Sequence, residues 1–196
     1  EGPKTASGDL NGDGLLDIFI GGAAGKGGAV YLQTPSGQFT KKAQAAFAPF
    51  SSFEDVAAVF FDADKDGDLD LLVGAGGNNK LENSGELNHR LFNNDGKGNF
   101  TYHVNSFPSF AFNTGVMVPM DYDGDGDLDL IVGYIFNDNG LFTHFQEYFE
   151  NNGKIEGLYK FYLSDKIQHE ANYVNGILHG VEKIYNYCGK LESIRH

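Results

Sequence analysis

Residues 62–77 read DADKDGDLDLLVGAGG, a run of five aspartates at every second position that leads directly into an apolar segment. Two carboxylates about 5 Å apart repel each other by roughly 3 kcal/mol at an effective dielectric constant near 20. Aspartate is also depleted from β-strands, so the run is not typical of an ordinary strand. The clustering therefore predicts either a solvated, loose segment or a cation that offsets the repulsion.

The nine-residue core of this stretch occurs three times in the chain. The copies are DLNGDGLLD at 9–17, DADKDGDLD at 62–70 and DYDGDGDLD at 121–129, so they start 53 and 59 residues apart. Each copy is followed by apolar residues and glycine, and apolar runs precede the second and third copies. Only KTASG precedes the first copy, so its leading strand is expected to be short. The regular recurrence predicts a repeat protein.

Hairpins are predicted in the spacers between the acidic loops. AVYLQTPSGQFTK (29–41) reads as strand, turn and strand, and HRLFNNDGKGNFTYH (89–103) does the same with Asp95-Gly96 as its turn signal. Each repeat then contains four short strands: a strand, the acidic loop, a second strand and a hairpin. A meander of about 50 to 60 residues has the size of one β-propeller blade.

The pattern changes near residue 145. NGKIEGLYKFY (152–162) recurs as NGILHGVEKIY (175–185), and Asn-Gly favours type I′ hairpin turns. The segment 148–159 could either close the third blade or open the second region.

We therefore predict an all-β fold in two parts. Residues 1–145 form about two and a half to three propeller-like blades, and residues 146–196 form a region of β-hairpin repeats. Propellers close with four to eight blades, so these blades make an incomplete ring. The chain is then a fragment or a composite sequence, completes its ring with other chains, or stacks its blades openly with the tail over one edge.

The spacing within the nonapeptide D-x-[DN]-x-D-G-x-x-D predicts a metal site. Side chains at positions one, three and five of a tight loop converge on one point, and glycine at position six permits the sharp turn. The carbonyl at position seven can add an oxygen, and the aspartate at position nine closes the shell. Such an all-oxygen, negatively charged shell suits Ca²⁺ better than Mg²⁺, which keeps its waters.

About three Ca²⁺ sites are therefore expected. The predicted ligands are Asp9, Asn11, Asp13, Leu15 and Asp17 in the first loop, Asp62, Asp64, Asp66, Asp68 and Asp70 in the second, and Asp121, Asp123, Asp125, Asp127 and Asp129 in the third. Position seven is expected to use its backbone carbonyl, so Asp68 and Asp127 are the least expected side-chain ligands.

An EF-hand is the nearest alternative for these loops, and the sequence argues against it. The twelfth position of an EF-hand loop requires a bidentate glutamate, whereas Ile20, Val73 and Val132 stand there. The flanking segments are also β-like. A solvated acidic turn is the other alternative, and three copies in phase argue against it.

Composition excludes several function classes. The formal net charge of -13 disfavours binding to nucleic acids and to anionic lipids, and no apolar run is long enough to span a membrane. The lone Cys188 permits no intrachain disulfide and no zinc site made of paired thiolates.

GGAAGKGG (21–28) departs from a phosphate-binding loop at both ends and is interpreted as a flexible blade loop. The six histidines lack metal-ligand spacing and are expected on the surface or in strands. No catalytic motif is recognisable, so we expect a protein that is not an enzyme.

The nonapeptide with its hydrophobic-Gly continuation resembles the FG-GAP/VCBS repeat family over roughly residues 5–140. This family forms the calcium-loop blades of integrin α-subunit heads and of many bacterial secreted proteins. The resemblance implies propeller blades, Ca²⁺ in the loop between two adjacent strands, and a secreted or cell-surface location. In the tail, NGKIEG and NGILHG resemble MORN-type repeats of bacterial proteins, although two further hairpins would also explain them.

The sequence thus predicts a calcium-binding extracellular or cell-surface repeat module that mediates adhesion or binds a protein or glycan partner. Two alternatives stay open: a catalytic or non-catalytic domain of a secreted carbohydrate-active enzyme, and an intracellular partner-binding protein led by the MORN-like tail. Open sheet edges would also favour self-association. The N-terminal EGPKTASGD is no signal peptide, so export would require a signal outside this sequence.

Overall fold

The computed structural model describes the chain in eleven segments. They are residues 3–77, 87–104, 113–121, 126, 128–135, 146–151, 154–155, 157–163, 166–174, 177–186 and 188–196. These residues form mostly β-strands, which confirms the predicted all-β fold class. No helix in these segments has the length and hydropathy of a membrane span.

The strands are β1 (Thr5–Gly8), β2 (Asp17–Ile20), β3 (Ala29–Gln33), β4 (Phe39–Lys42), β5 (Glu54–Phe61), β6 (Asp70–Gly76), β7 (Arg90–Asn94), β8 (Phe100–His103), β9 (Asn113–Met120), β10 (Asp129–Ile135), β11 (Gln146–Asn151), β12 (Lys154–Ile155), β13 (Gly157–Leu163), β14 (Lys166–Val174), β15 (Ile177–Leu178), β16 (Glu182–Tyr185) and β17 (Leu191–Arg195). A short 3₁₀ helix, Ala45–Phe50, lies between β4 and β5.

The strands pair in antiparallel fashion into three sheets. Sheet 1 has the order β1-β2-β3-β4, and sheet 2 has the order β5-β6-β7-β8. Sheet 3 runs β9-β10-β11-β13-β14-β16-β17, with β12 beside β11 and β15 beside β14. Among the described strands, none of the three sheets closes on itself. Sheets 1 and 2 are thus the four-stranded meanders that the repeat pattern predicts.

The local predictions within the repeats agree with the structure. β3 pairs with β4 and β7 pairs with β8, so both predicted hairpins are confirmed. β1 has four residues whereas β5 and β9 have eight, which confirms the short leading strand of the first repeat. β11 pairs with both β10 and β13, so the third blade-like unit and the tail share one sheet. The division of the chain at 145/146 stays a prediction.

Sheet 2 lies between the other two sheets, and both of its faces are covered. Along β6, Leu71 and Val73 pack toward sheet 1 and Leu72 packs toward sheet 3, as the two-residue period of a strand requires. The core between sheets 1 and 2 contains Leu10, Phe19, Val30, Phe47, Leu71, Val73, Phe92 and Phe100. The core between sheets 2 and 3 contains Ala57, Phe61, Ala63, Leu72, Leu91, Met117, Leu130, Val132 and Ala171.

A buried ion pair within sheet 2, at the ends of the strands that lie away from the acidic loops, also contacts the loop that follows β2 of sheet 1. The Arg90 guanidinium donates to Asp55 at 2.7 Å, and the Gly22 amide donates to the same carboxylate at 2.5 Å. The guanidinium also lies over the rings of Phe50 and Phe53, 5.5 Å and 4.5 Å from their centroids. Asp55 therefore ties the loop at 21–28 to the second sheet.

Candidate metal centre

The first and second acidic loops lie wholly within the described residues. The loop at 9–17 connects β1 to β2, and the loop at 62–70 connects β5 to β6. Strands therefore flank both loops, which argues against an EF-hand, in which helices flank the loop. The predicted third-loop ligands Asp123, Asp125 and Asp127 lie outside the described residues, whereas Asp121 and Asp129 lie within them.

Glycine at position six makes the same turn in all three loops. Its φ is +80° at Gly14 and +92° at both Gly67 and Gly126. This left-handed region costs an ordinary L-residue about 1 to 2 kcal/mol, which explains the glycine. The glycine amide donates to the aspartate at position one in each loop, at 2.8 Å to Asp9, 3.1 Å to Asp62 and 3.2 Å to Asp121.

The aspartate at position nine holds the loop against its sheet. Asp17, Asp70 and Asp129 have no exposed surface. The carboxylate of Asp17 accepts the amide of Leu10 at 2.9 Å and the amide of Gln33, on β3, at 2.8 Å. Each carboxylate oxygen has two lone pairs, so Asp17 keeps acceptor capacity for a further partner.

Asp70 repeats this arrangement in the second loop. It accepts the amide of Ala63 at 3.0 Å and the amide of Asn94, on β7, at 2.8 Å. Burial raises the pKa of Asp70 to about 7; the charges of Asp64 and Asp66 push the same way, and the two amide hydrogen bonds oppose them. A cation in the loop would reverse this shift, because a nearby positive charge favours the ionised carboxyl group.

Position five is exposed in both loops. Asp13 accepts the amide of Leu15, and Asp66 accepts the amide of Asp68, each at 2.9 Å.

At position seven of the second loop, the carboxylate of Asp68 lies against Gly96 in the β7–β8 turn. Desolvation and the charge of Asp66 raise the pKa of Asp68. This placement is compatible with a position-seven residue that would contribute its carbonyl.

The second loop brings three of its predicted ligands together. Carboxylate oxygens of Asp62, Asp64 and Asp70 all lie within 4.8 Å of one another. Calcium–oxygen distances are about 2.4 Å, so oxygens with this spacing can contact one Ca²⁺. Oδ1 of Asp62 is buried and accepts no hydrogen bond from the described residues. A buried oxygen without a donor is unfavourable, and a cation would satisfy it. The residues of this loop therefore fit Ca²⁺.

The first loop is closed on its own backbone instead. Oδ1 of Asp9 accepts the amides of Asn11, Gly12 and Asp13 at 3.3, 2.8 and 3.2 Å. The hydrogen bond from Gly14 to Oδ2 contributes most to a lowered pKa of Asp9. Position three carries an amide in place of an acid, and Asn11 Nδ2 donates to Asp13 at 3.1 Å. Asp9 thus stabilises the turn through backbone contacts.

Two residues of β7 belong to the site and escaped the sequence analysis. Asn93 Nδ2 donates to Asp64 at 2.8 Å. Asn94 Nδ2 donates to the carbonyls of Leu10, at 2.9 Å, and Leu69, at 3.1 Å, so it links the first loop to the second. The available signal was an Asn-Asn pair at the end of a strand whose preceding residues are Leu-Phe. Its meaning depends on the strand register.

One histidine departs from its expected surroundings. His89 is buried immediately before β7, and burial lowers its pKa to about 3, with the charge of Arg90 adding to the shift. Its Nδ1 lies 3.4 Å from the hydroxyl of Thr114 on β9. His89 is therefore neutral near neutral pH and belongs to the packing of sheets 2 and 3.

The fold and the loops together define a class of protein: β-sheet repeats that carry an acidic loop between adjacent strands. Residues 9–73 match a family described as FG-GAP-like repeat, and this segment includes the first two loops. The FG-GAP resemblance is thus confirmed for residues 9–73, while the MORN resemblance of the tail stays a prediction. No curated protein matches the chain.

Proposed function

We propose that this chain is a calcium-stabilised β-repeat module of an extracellular or cell-surface protein, and that it acts by binding a protein or glycan partner. The FG-GAP-like repeat at 9–73 supports the repeat module. The observation that carries the calcium proposal is the cluster of Asp62, Asp64 and Asp70, together with the buried Asp62 Oδ1 that lacks a donor among the described residues.

The ion would be structural in this proposal. It would supply the positive charge that lets ionised carboxylates stay close together. The chain's own residues prepare the loop: the Gly67 amide orients Asp62, and the amides of Ala63 and Asn94 hold Asp70. Because β5 and β6 enter and leave this loop, an ion there would stabilise the pairing of the two strands.

Net charge supports the same role. The three loops contain thirteen of the 27 acidic residues in the chain. Three bound Ca²⁺ ions would change the formal net charge from -13 to about -7 and so weaken the self-repulsion of the folded chain. Loops of this kind in extracellular modules bind with dissociation constants of about 10⁻⁴ to 10⁻³ M, which suits extracellular calcium.

Calcium-dependent stability is the direct test. Thermal melts in calcium, in magnesium and in chelator should give the highest midpoint in calcium. Each site at a hundredfold excess of calcium over its Kd should add about 2.7 kcal/mol to the free energy of unfolding. Asp64→Asn should remove part of this gain, whereas Glu192→Gln, which removes an exposed charge on β17, should not. Identical midpoints in calcium and chelator would reject the proposal.

The proposed role is non-catalytic, because the clustered carboxylates are assigned to the loops. A binding screen against glycans and extracellular proteins, run with calcium and with chelator, should identify a partner whose binding requires the folded module. Turnover in a parallel glycan-hydrolysis screen would instead favour the alternative of a carbohydrate-active enzyme domain.

A further inference from the structure

Asn93 occupies the same place beside the second loop that Leu32 occupies beside the first. The aspartate at position nine accepts the backbone amide of Gln33 in sheet 1 and of Asn94 in sheet 2. The residues immediately before these two are Leu32 and Asn93. The register agrees, because Leu32 lies opposite Thr40 and Asn93 lies opposite Thr101 in the two hairpins. The neighbouring strand therefore presents an apolar side chain to one loop and an amide to the other.

The two polar atoms of the Asn93 side chain differ in their contacts. Nδ2 donates to Oδ2 of Asp64 at 2.8 Å. Oδ1 is buried and has no hydrogen-bond partner within the described part of the chain. Because the two atoms share one carbon, Oδ1 lies within about 5 Å of the same Asp64 oxygen. The donor face of the amide is thus satisfied by the cluster, while its acceptor face is not.

Asp62 Oδ1 is the second buried oxygen that lacks a donor in this part of the molecule. Asp62 is a member of the carboxylate cluster, and Asn93 contacts the same cluster through Asp64. Each of these two buried oxygens is unfavourable if nothing contacts it, and hydrogen bonding would require a separate donor for each oxygen. One hard cation can satisfy both, because Ca²⁺ takes carboxylate and amide oxygens into one flexible shell.

We propose that Asn93 completes the second metal site from the neighbouring strand: Nδ2 orients Asp64, and Oδ1 supplies a neutral oxygen ligand. This inference rests on the proposed calcium function. The first loop has no counterpart, because Leu32 carries no polar atom in its side chain. The two loops then differ in ligand number, and the second loop holds calcium more tightly than the first.

Substitution of Asn93 tests this directly when the second loop is isolated. Asp13→Asn and Asp125→Asn weaken the other two loops, and calcium titration calorimetry then reads the second site. In this background Asn93→Leu, which installs the residue that the first repeat carries, should weaken calcium binding about tenfold, the lower end of the effect of losing a supporting ligand. Thr101→Leu is the matched control, because it adds leucine at the exposed position opposite Asn93 and should leave the affinity unchanged.

Terbium luminescence distinguishes a ligand from a positioning residue. Its decay in H₂O and D₂O counts the water molecules on the bound ion, and Asn93→Leu and Asn93→Ala should each add one water as the lost oxygen is replaced. Weaker binding with an unchanged water count would reduce Asn93 to a residue that positions Asp64 and overturn the ligand assignment.

Unchanged calcium affinity in both variants would overturn the inference while leaving the proposed function intact. No calcium binding by the parent chain would instead reject the proposed function itself. If the background variant does not fold, the same substitutions in the full sequence should weaken the tightest of the measured sites about tenfold, and an unaltered tightest site would count against Asn93.

Discussion

The loops at 9–17 and 62–70 share a nine-residue pattern, yet they satisfy it with different partners. In the first loop, Asp9 accepts amides from its own turn at both oxygens. In the second, Asp62 accepts the Gly67 amide at one oxygen, while the other is buried without a donor among the residues described. The comparison teaches that one motif can produce a turn capped by its own backbone or a turn that keeps oxygens for an ion.

The sequence differences behind this contrast are few. Position three is Asn11 in the first loop and Asp64 in the second, and position four is Gly12 or Lys65. The first loop has three acidic residues and the second has five. The more charged loop has the greater need of a counter-ion. The comparison can be broken or sharpened by substitutions at matched positions.

The largest difference is expected at position nine. Asp17→Asn replaces one of the two accepting oxygens with an NH2 donor that faces a buried backbone amide, and it should lower the free energy of unfolding by about 3 kcal/mol. The loss should differ less between calcium and chelator than that of Asp70→Asn, because the first loop holds calcium more weakly than the second. In chelator, Asp70→Asn should lower the free energy of unfolding much less, because the ionised form of Asp70 is unfavourable there. In calcium, the same substitution should lower it more. Urea unfolding under both conditions measures this, and equal calcium dependence of the two variants would erase the proposed contrast.

A smaller loss is expected where the two loops are connected. Asn94→Ala removes the side chain that donates to the carbonyls of Leu10 and Leu69 and accepts the amides of Asp95 and Gly98. We expect a loss of about 2 kcal/mol, because buried backbone groups are left without partners.

Gln33 provides the matched control for Asn94. It contributes its backbone amide to Asp17, and alanine retains that amide. Gln33→Ala should therefore change stability by less than about 0.5 kcal/mol. Equal losses for the two alanine variants would show that the connection between the loops contributes little.

The pH dependence of calcium binding should also separate the loops. A proton competes with the cation at Asp70, whose pKa is about 7, so the affinity of the second loop should fall by up to tenfold per pH unit below that value. The first loop should keep its affinity to lower pH, because the pKa of Asp9 is lowered. Calorimetric titrations at about pH 8 and about pH 6 measure this. Parallel losses at both sites would contradict the assignment.

The sign of the stability change without calcium provides a check. The folded chain binds the Asp70 proton more tightly than the unfolded chain, so this contribution is present below the unfolded pKa of 3.8 and is lost as pH rises through about 7. His89 acts in the opposite direction: its contribution is present above 6.5 and is lost as pH falls toward about 3. Asp70→Asn and His89→Gln should therefore change the slope of stability against pH with opposite signs, each by up to about 1.4 kcal/mol per pH unit.

The smallest effect is expected at position four. Lys65 has a φ of +64°, in the region where the first loop has Gly12 at +74°. Lys65→Gly should stabilise the chain by about 0.5 to 1 kcal/mol, because the strain it relieves exceeds the entropy that glycine adds to the unfolded chain. Gly12→Lys should destabilise it by a similar amount. Denaturant midpoints in chelator measure both, and changes of the same sign would show that the loops do not share this backbone conformation.

Much of the fold could be predicted from short-range patterns. The glycine at position six marks a left-handed turn, and the apolar runs on either side of the loop mark the strands it joins. The hairpins at 29–41 and 89–103 follow from alternation around turn residues. These features depend on residues only a few positions apart, so they can be predicted from the sequence without knowledge of the strand pairing.

The rest of the site depends on strand register. Asp17 reaches Gln33 and Asp70 reaches Asn94 only because β2 and β6 pair with particular residues of their neighbouring strands. The contact between Asn93 and Asp64 arises in the same way. The tail joins sheet 3 because β11 pairs with β10 on one side and with β13 on the other. The hairpin patterns on the two sides of residue 145 are similar, so the sequence did not show to which region this strand belongs.

The aspartate at position nine fixes the number of residues in the acidic loop. Because Asp17 must reach back to the Leu10 amide while it also holds β3, the loop cannot gain or lose a residue without losing one of these contacts. Length variation between repeats is then confined to the opposite ends of the sheets, where 21–28 and 77–89 already differ by five residues. A scan of single-residue insertions should find 21–28 permissive and 9–17 intolerant, and a tolerant acidic loop would refute this constraint on how such repeats diverge.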